Sequence, residues 1–224
     1  MNKATSTVQI ILLRLSDKQL VIYFFIIFYF TGALGMTIPM LSPLFVRLIP
    51  MALLMSSGYS LYFHKEGNRL KTMLAFSFIF ISGIGIEILG IQTGKIFGEY
   101  RYGDSLGLSI LSVPLMIGVN WVFLTYASSS VFEGIRLPDS VKVILASLVM
   151  VGYDIVLEQS APKMDMWYWE EGAVPFQNYV AWFAIAVVFH SVLKIFRINT
   201  SNPVAAAILL CQFIFFLLVF ILNS

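Results

Sequence analysis

Residues 71–91 read KTMLAFSFIFISGIGIEILGI, and this stretch decides the fold class. Fifteen uncharged residues separate Lys71 from Glu87. Wound as a helix, the stretch rises about 30 Å, which matches the hydrocarbon core of a bilayer. Glu87 sits about one turn inside its end. An ionisable group at membrane depth costs roughly 2.5–3.5 kcal/mol on insertion scales, so it marks a functional site.

Working outward, comparable apolar runs lie near 20–36, 43–62, 107–128, 140–158, 176–195 and 203–222. They predict an all-α membrane protein, a single bundle of about seven transmembrane helices over residues 1–224. Residues 6–15 suit a short helix on the membrane surface. The composition agrees: 59% of the 224 residues are hydrophobic and 12% charged, about half the charge of a soluble domain. A net charge of +2 and the lack of a basic run exclude nucleic acid as a partner. Cys211 is the one cysteine, so no disulfide framework is expected. A cleaved leader is not expected either: the first apolar run follows Arg14, Asp17 and Lys18 and has no small-x-small cleavage site.

The basic residues orient the bundle. With a cytoplasmic N-terminus, Lys3, Arg14, Lys18, Lys65, Arg69, Lys71, Arg136, Lys142, Lys194 and Arg197 fall inside. Arg47, Lys95, Arg101 and Lys163 fall outside. Ten against four is a positive-inside bias. Eight of the twelve acids then share the outer side: Glu87, Glu99, Asp104, Asp154, Glu158, Asp165, Glu170 and Glu171. Tyr100, Tyr102, Trp167 and Trp169 accompany them, with Asn178 and Trp182 near the outer start of the span 176–195 and Asn120 and Trp121 near mid-membrane in the span 107–128.

Asp154 and Glu158 are at i and i+4 and stack on one helix face. Two carboxyls that close in a dry setting cannot both ionise cheaply, so one is expected to keep a proton. Glu87 adds a third from another helix. One group to give a proton and one to orient water is the minimum for general acid–base chemistry. The bland alternative pairs these acids with Lys95, Arg101 or Lys163; it suits Glu99, Asp165, Glu170 and Glu171 better than the acids inside spans. The aromatic rings fit either a headgroup belt or the lining of a site that shelters a cation. Gly94, Gly98, Gly103 and Gly107 fit a re-entrant turn covering the site, since Thr93–Gly98 lacks the ending of a phosphate loop.

Other chemistries lack their residues. No Glu-x-x-His pair or histidine cluster exists for a di-iron centre, and no Gly-x-Gly-x-x-Gly for a dinucleotide. Residues 203–222 carry no lysine for a retinal Schiff base. His190, alone in a span, suits a structural role. Redox-neutral chemistry with protons and water remains.

Two spaced motifs carry a family resemblance. One is Glu87-x5-Thr93-Gly94-x2-Phe97-Gly98-x-Tyr100-x-Tyr102, followed by Val113-Pro114-Leu115 and Asn120-Trp121. The other is Asp154-x3-Glu158-x2-Ala161, Trp167-x-Trp169 and Val174-Pro175-x2-Asn178-Tyr179-x2-Trp182. Over about residues 80–185 the chain resembles the carotenoid biosynthesis family of membrane carotenoid hydratases. It departs at Gln159, where that family often has proline, and at Ala173, where glycine is more usual. The resemblance implies water addition to the terminal C1,C2 double bond of an acyclic (ψ) end, as in γ-carotene, lycopene or bacterioruberin precursors, with no cofactor and no metal. Asp154 would protonate C2, and Trp121, Trp167, Trp169 or Tyr100 would shelter the cation at C1. Water held by Glu87 or Glu158 would capture it. Tyr102, Asn120, Asn178 and Trp182 would bind substrate; Thr93, Gly94, Phe97 and Gly98 would shape the loop. The partners implied are a lipophilic polyene, water, the bilayer and other carotenoid enzymes. The membrane implied is cytoplasmic in type, with the site near the outer leaflet. Competing readings are an isoprenoid cyclase using the same acid, a proton-coupled transporter and a passive pigment binder.

Overall fold

A computed structural model describes residues 17–65 and 67–222. The surface helix expected at 6–15 lies outside the described residues. Eight α-helices dominate the described chain: α1 (Asp17–Thr37), α2 (Ser42–Arg47), α3 (Ile49–Tyr62), α4 (Arg69–Thr93), α5 (Leu115–Phe132), α6 (Asp139–Ser160), α7 (Phe176–Ile195) and α8 (Pro203–Leu222). Six of them, all but α2 and α3, are long and apolar enough to cross a membrane. The all-α membrane reading therefore holds.

Two boundaries differ from expectation, each for a backbone reason. The run 43–62 is broken at Leu48 into α2 and α3, and Pro43 and Pro50 fall in their first turns. A proline ring cannot donate to the preceding turn and clashes with it, so a helix starts there instead of continuing. The run from 107 reads as helix by apolarity, yet α5 begins only at Leu115. Leu111 and Ser112 have φ of 49° and 68°, outside the helical region, and they turn the chain between the short strands β2 (Ser109–Ile110) and β3 (Val113–Pro114).

Capping sets other ends. Asn68 Oδ1 accepts from Lys71 N at 3.1 Å and starts α4. Asn202 Oδ1 accepts from the backbone N–H groups of Val204 and Ala205 and starts α8. α5 is the most buried of the six long helices. It packs against α3, α4, α6 and α8, while α1 packs on α8 and α6 on α7. At one end of the bundle, Lys194 clamps Glu133 at 2.8 Å and Asp139 at 3.2 Å. The opposite end carries the site.

Candidate active site

Four helix ends meet at the site end of the bundle, joined by the segments 94–114 and 161–175. Glu87 in α4 and Asp154 in α6 each sit six residues before the last residue of their helix, which places both about 9 Å inside it. Both segments contribute a three-residue strand: β1 (Tyr100–Tyr102) and β4 (Trp167–Trp169). These pair antiparallel, Tyr100 opposite Trp169, Arg101 opposite Tyr168 and Tyr102 opposite Trp167. Side chains alternate faces along a strand, so the outer two residues of each turn one way and the middle one the other. The middle pair meets on the far face, with the Arg101 guanidinium 4.8 Å from the centre of the Tyr168 ring.

The inward face of this ribbon holds two carboxyls. Glu87 Oε2 accepts from Tyr100 Oη at 2.5 Å and Tyr102 Oη at 2.8 Å; its Oε1 accepts from Trp121 Nε1 at 3.1 Å. Glu158 Oε2 accepts from Trp167 Nε1 at 2.9 Å and Trp169 Nε1 at 2.8 Å. Burial first, and the Glu87 carboxyl second, hold the Tyr100 and Tyr102 phenols well above their usual range, so both stay donors. Asn178 Nδ2 donates to Asp154 Oδ2 at 2.9 Å and reaches Glu158 Oε1 at 3.4 Å. Trp121 and Trp182 stack at 4.3 Å.

The result is a cavity of about 30 Å³ lined by Glu87, Phe97, Tyr100, Tyr102, Ile117, Asn120, Trp121, Glu158, Trp167, Trp169, Asn178 and Trp182. That is room for one or two water molecules. Ten side chains read from the sequence as catalytic or substrate-binding converge here, together with Phe97. Asp154 does not line the cavity. It lies behind Glu158, fully buried, and its Oδ1 has no hydrogen-bond partner.

Among the described residues, the ion pairs are those of Lys194 with Glu133 and Asp139. Glu87, Asp154 and Glu158 are thus buried without a basic partner, and the pairing with Lys95, Arg101 or Lys163 is not formed. The loop acid Asp165 serves structure: its Oδ2 accepts from Asp104 N at 3.2 Å and its Oδ1 from Tyr168 Oη at 2.8 Å.

Local hydrogen bonds and two left-handed glycines set the path of the loop at 93–98. Thr93 Oγ1 donates to Leu89 O and accepts from Lys95 N. Gly94 ends α4 with φ of 63°, and Gly98 has φ of 111° with Pro175 pressed against it. Both conformations favour glycine. Phe97 turns inward onto Gly90 and becomes part of the cavity wall. Ile117 was not singled out by sequence; it lies one turn before Trp121 on α5, and that i−4 spacing was the available signal. His190 is buried, its Nδ1 2.6 Å from Ala186 O and its Nε2 2.8 Å from Ser128 Oγ, in keeping with a structural role.

A family described as carotenoid biosynthesis protein matches residues 45–223. A protein of Haloarcula japonica named bisanhydrobacterioruberin hydratase is 30% identical over 146 residues, 62% of this chain and 47% of that protein. The chain thus aligns with about half the length of that relative. No solved structure matches it.

Proposed function

The chain belongs to the carotenoid biosynthesis protein family, and on that premise we propose that it adds water to the terminal C1,C2 double bond of an acyclic carotenoid end. It is an integral membrane protein. The observation that carries the proposal is the pair of buried, cation-free carboxyls, Glu87 and Glu158, facing one water-sized cavity beneath a ribbon of four aromatic donors.

The two carboxyls differ in their hydrogen bonds, and the difference suggests their roles. Glu87 accepts three bonds from neutral donors, the environment of a carboxylate that holds and deprotonates water. Glu158 has one oxygen engaged by two indoles and the other only by the long contact from Asn178. That second oxygen is suited to carry the proton that is delivered. Asp154 stacks one turn behind it, so the pair shares a proton and Asp154 supplies it through Glu158. This moves the delivering group from Asp154, favoured by sequence, to the member that lines the cavity.

In the proposed cycle the Glu158 proton passes to C2 and the C1,C2 π bond breaks. The tertiary cation at C1 lies against ring faces, whose negative quadrupoles favour it. Water attacks C1, and its proton goes to Glu87. Return of that proton to the Asp154–Glu158 pair through water closes the cycle. One alkene and one water give one tertiary alcohol, with no oxidant and no cofactor. The cavity does not admit a polyene end in this form, so substrate entry requires the ribbon or Trp182 to move. The outer leaflet follows from the positive-inside orientation and is part of the proposal.

Glu87→Gln and Glu158→Gln are each expected to lower hydration by about 10²-fold or more, with Asp154→Asn less severe. Conversion of lycopene by membranes carrying each variant, at matched protein level, measures this. Full activity in both glutamine variants would overturn the mechanism. A cyclised product of unchanged mass would favour the cyclase reading.

A further inference from the structure

Asn120 breaks the pattern of the cavity. It lines the same space as Glu87 and Glu158, yet its Oδ1 is fully buried and accepts no hydrogen bond from the protein. By contrast the carboxyls, both tyrosines, Asn178 and three of the four tryptophans all have protein partners. A buried carbonyl oxygen without a partner forfeits its hydration, and native proteins satisfy such atoms with an ordered water. The volume beside it is right for that water and too small for anything larger. Its chain neighbour Trp121 donates to Glu87 Oε1, so α5 fixes the orphan amide and the base from adjacent positions.

We propose that Asn120 holds the water that captures the cation, and thereby decides between hydration and return to an alkene. The inference rests on the hydratase reading and adds to it a residue whose role is separable from proton delivery. Water donating one hydrogen to Asn120 Oδ1 and the other toward Glu87 turns a lone pair toward C1. As the C–O bond forms, the second hydrogen passes to Glu87. Without that water the cation at C1 loses a proton to a carboxylate, and an alkene of unchanged mass is released.

The test uses the full chain in detergent or vesicles, lycopene as probe, and deuterated water as solvent. A cation that forms and collapses leaves deuterium in the recovered alkene; a captured one gives alcohol. Asn120→Leu is expected to lower alcohol formation about tenfold, the scale of one lost hydrogen bond, while deuterium still enters recovered lycopene. Asn120→Ser, which offers a hydroxyl to water, is expected to restore most of the alcohol. Wild-type alcohol yield from Asn120→Leu overturns the inference. So does loss of deuterium uptake together with alcohol in both variants, which would make Asn120 a support for the acid or the fold. Wild-type protein that hydrates no acyclic-ended carotene would strike the hydratase reading itself.

Discussion

Replacing Trp169 with phenylalanine keeps a ring in the ribbon but removes one of the two indole N–H groups on Glu158 Oε2. A hydrogen bond to a buried carboxyl is worth about 1.5–3 kcal/mol, so Trp169→Phe is expected to cut hydration about tenfold or more. Trp182 stacks on Trp121 and its indole N–H donates to no group among the described residues, so Trp182→Phe is expected to cost much less. Initial rates of the two variants on one substrate check the pair; equal losses would mean that ring volume matters and the donors do not. At this scale the sequence was informative. Acids inside apolar spans announce themselves by their cost, and Tyr100, Tyr102, Trp167 and Trp169 by sitting next to them. Which acid faces the cavity was not legible. Asp154 and Glu158 share a helix face, and only packing against α7 and the ribbon decides that Glu158 is in front.

The ribbon is the element that sequence patterns hid. Tyr-Arg-Tyr and Trp-Tyr-Trp alternate with the period of a strand, but three residues are too few to stand out. Their partners lie more than sixty positions apart. Its closure depends on one tight approach. A Cβ on Gly103 would come within 2.3 Å of the Asp165 carbonyl oxygen, while Gly103 N donates to Met166 O at 2.9 Å. Gly103→Ala is therefore expected to destabilise the folded protein by about 1–3 kcal/mol and to impair hydration. Gly134→Ala, with nothing within 4 Å of the added atom, serves as control. Thermal unfolding in detergent compares them, and matching midpoints with matching activities would show that the ribbon tolerates loosening. The misplaced helix starts have a similar origin. Hydropathy sees apolar residues at 43–62 and 107–114, whereas Pro50 and the left-handed Leu111 and Ser112 act on the backbone.

For the whole molecule, the bundle separates a clamp at one end from chemistry at the other. Burial alone would raise the Glu133 carboxyl, but donation from Lys194 and Thr200 outweighs it and holds the group below its ordinary value. A lowered folded value means that this stabilisation is complete above the ordinary carboxylate value and is lost as pH falls through the lowered one. Wild type is thus expected to melt above Glu133→Gln at neutral pH, with the gap closing in acid. A gap that is constant with pH would exclude the clamp as its cause. The apolar spans made the membrane class plain; the orientation with Lys194 inside and the ribbon outside rests on the basic residues alone and belongs to the proposal. The most direct test of the hydratase reading is conversion of lycopene by the purified protein in heavy-oxygen water, read by mass. The expected product is heavier by one labelled water, forms with wild type and disappears with Glu158→Gln. Pigment recovered at unchanged mass, or a labelled product that persists in Glu158→Gln, would contradict it.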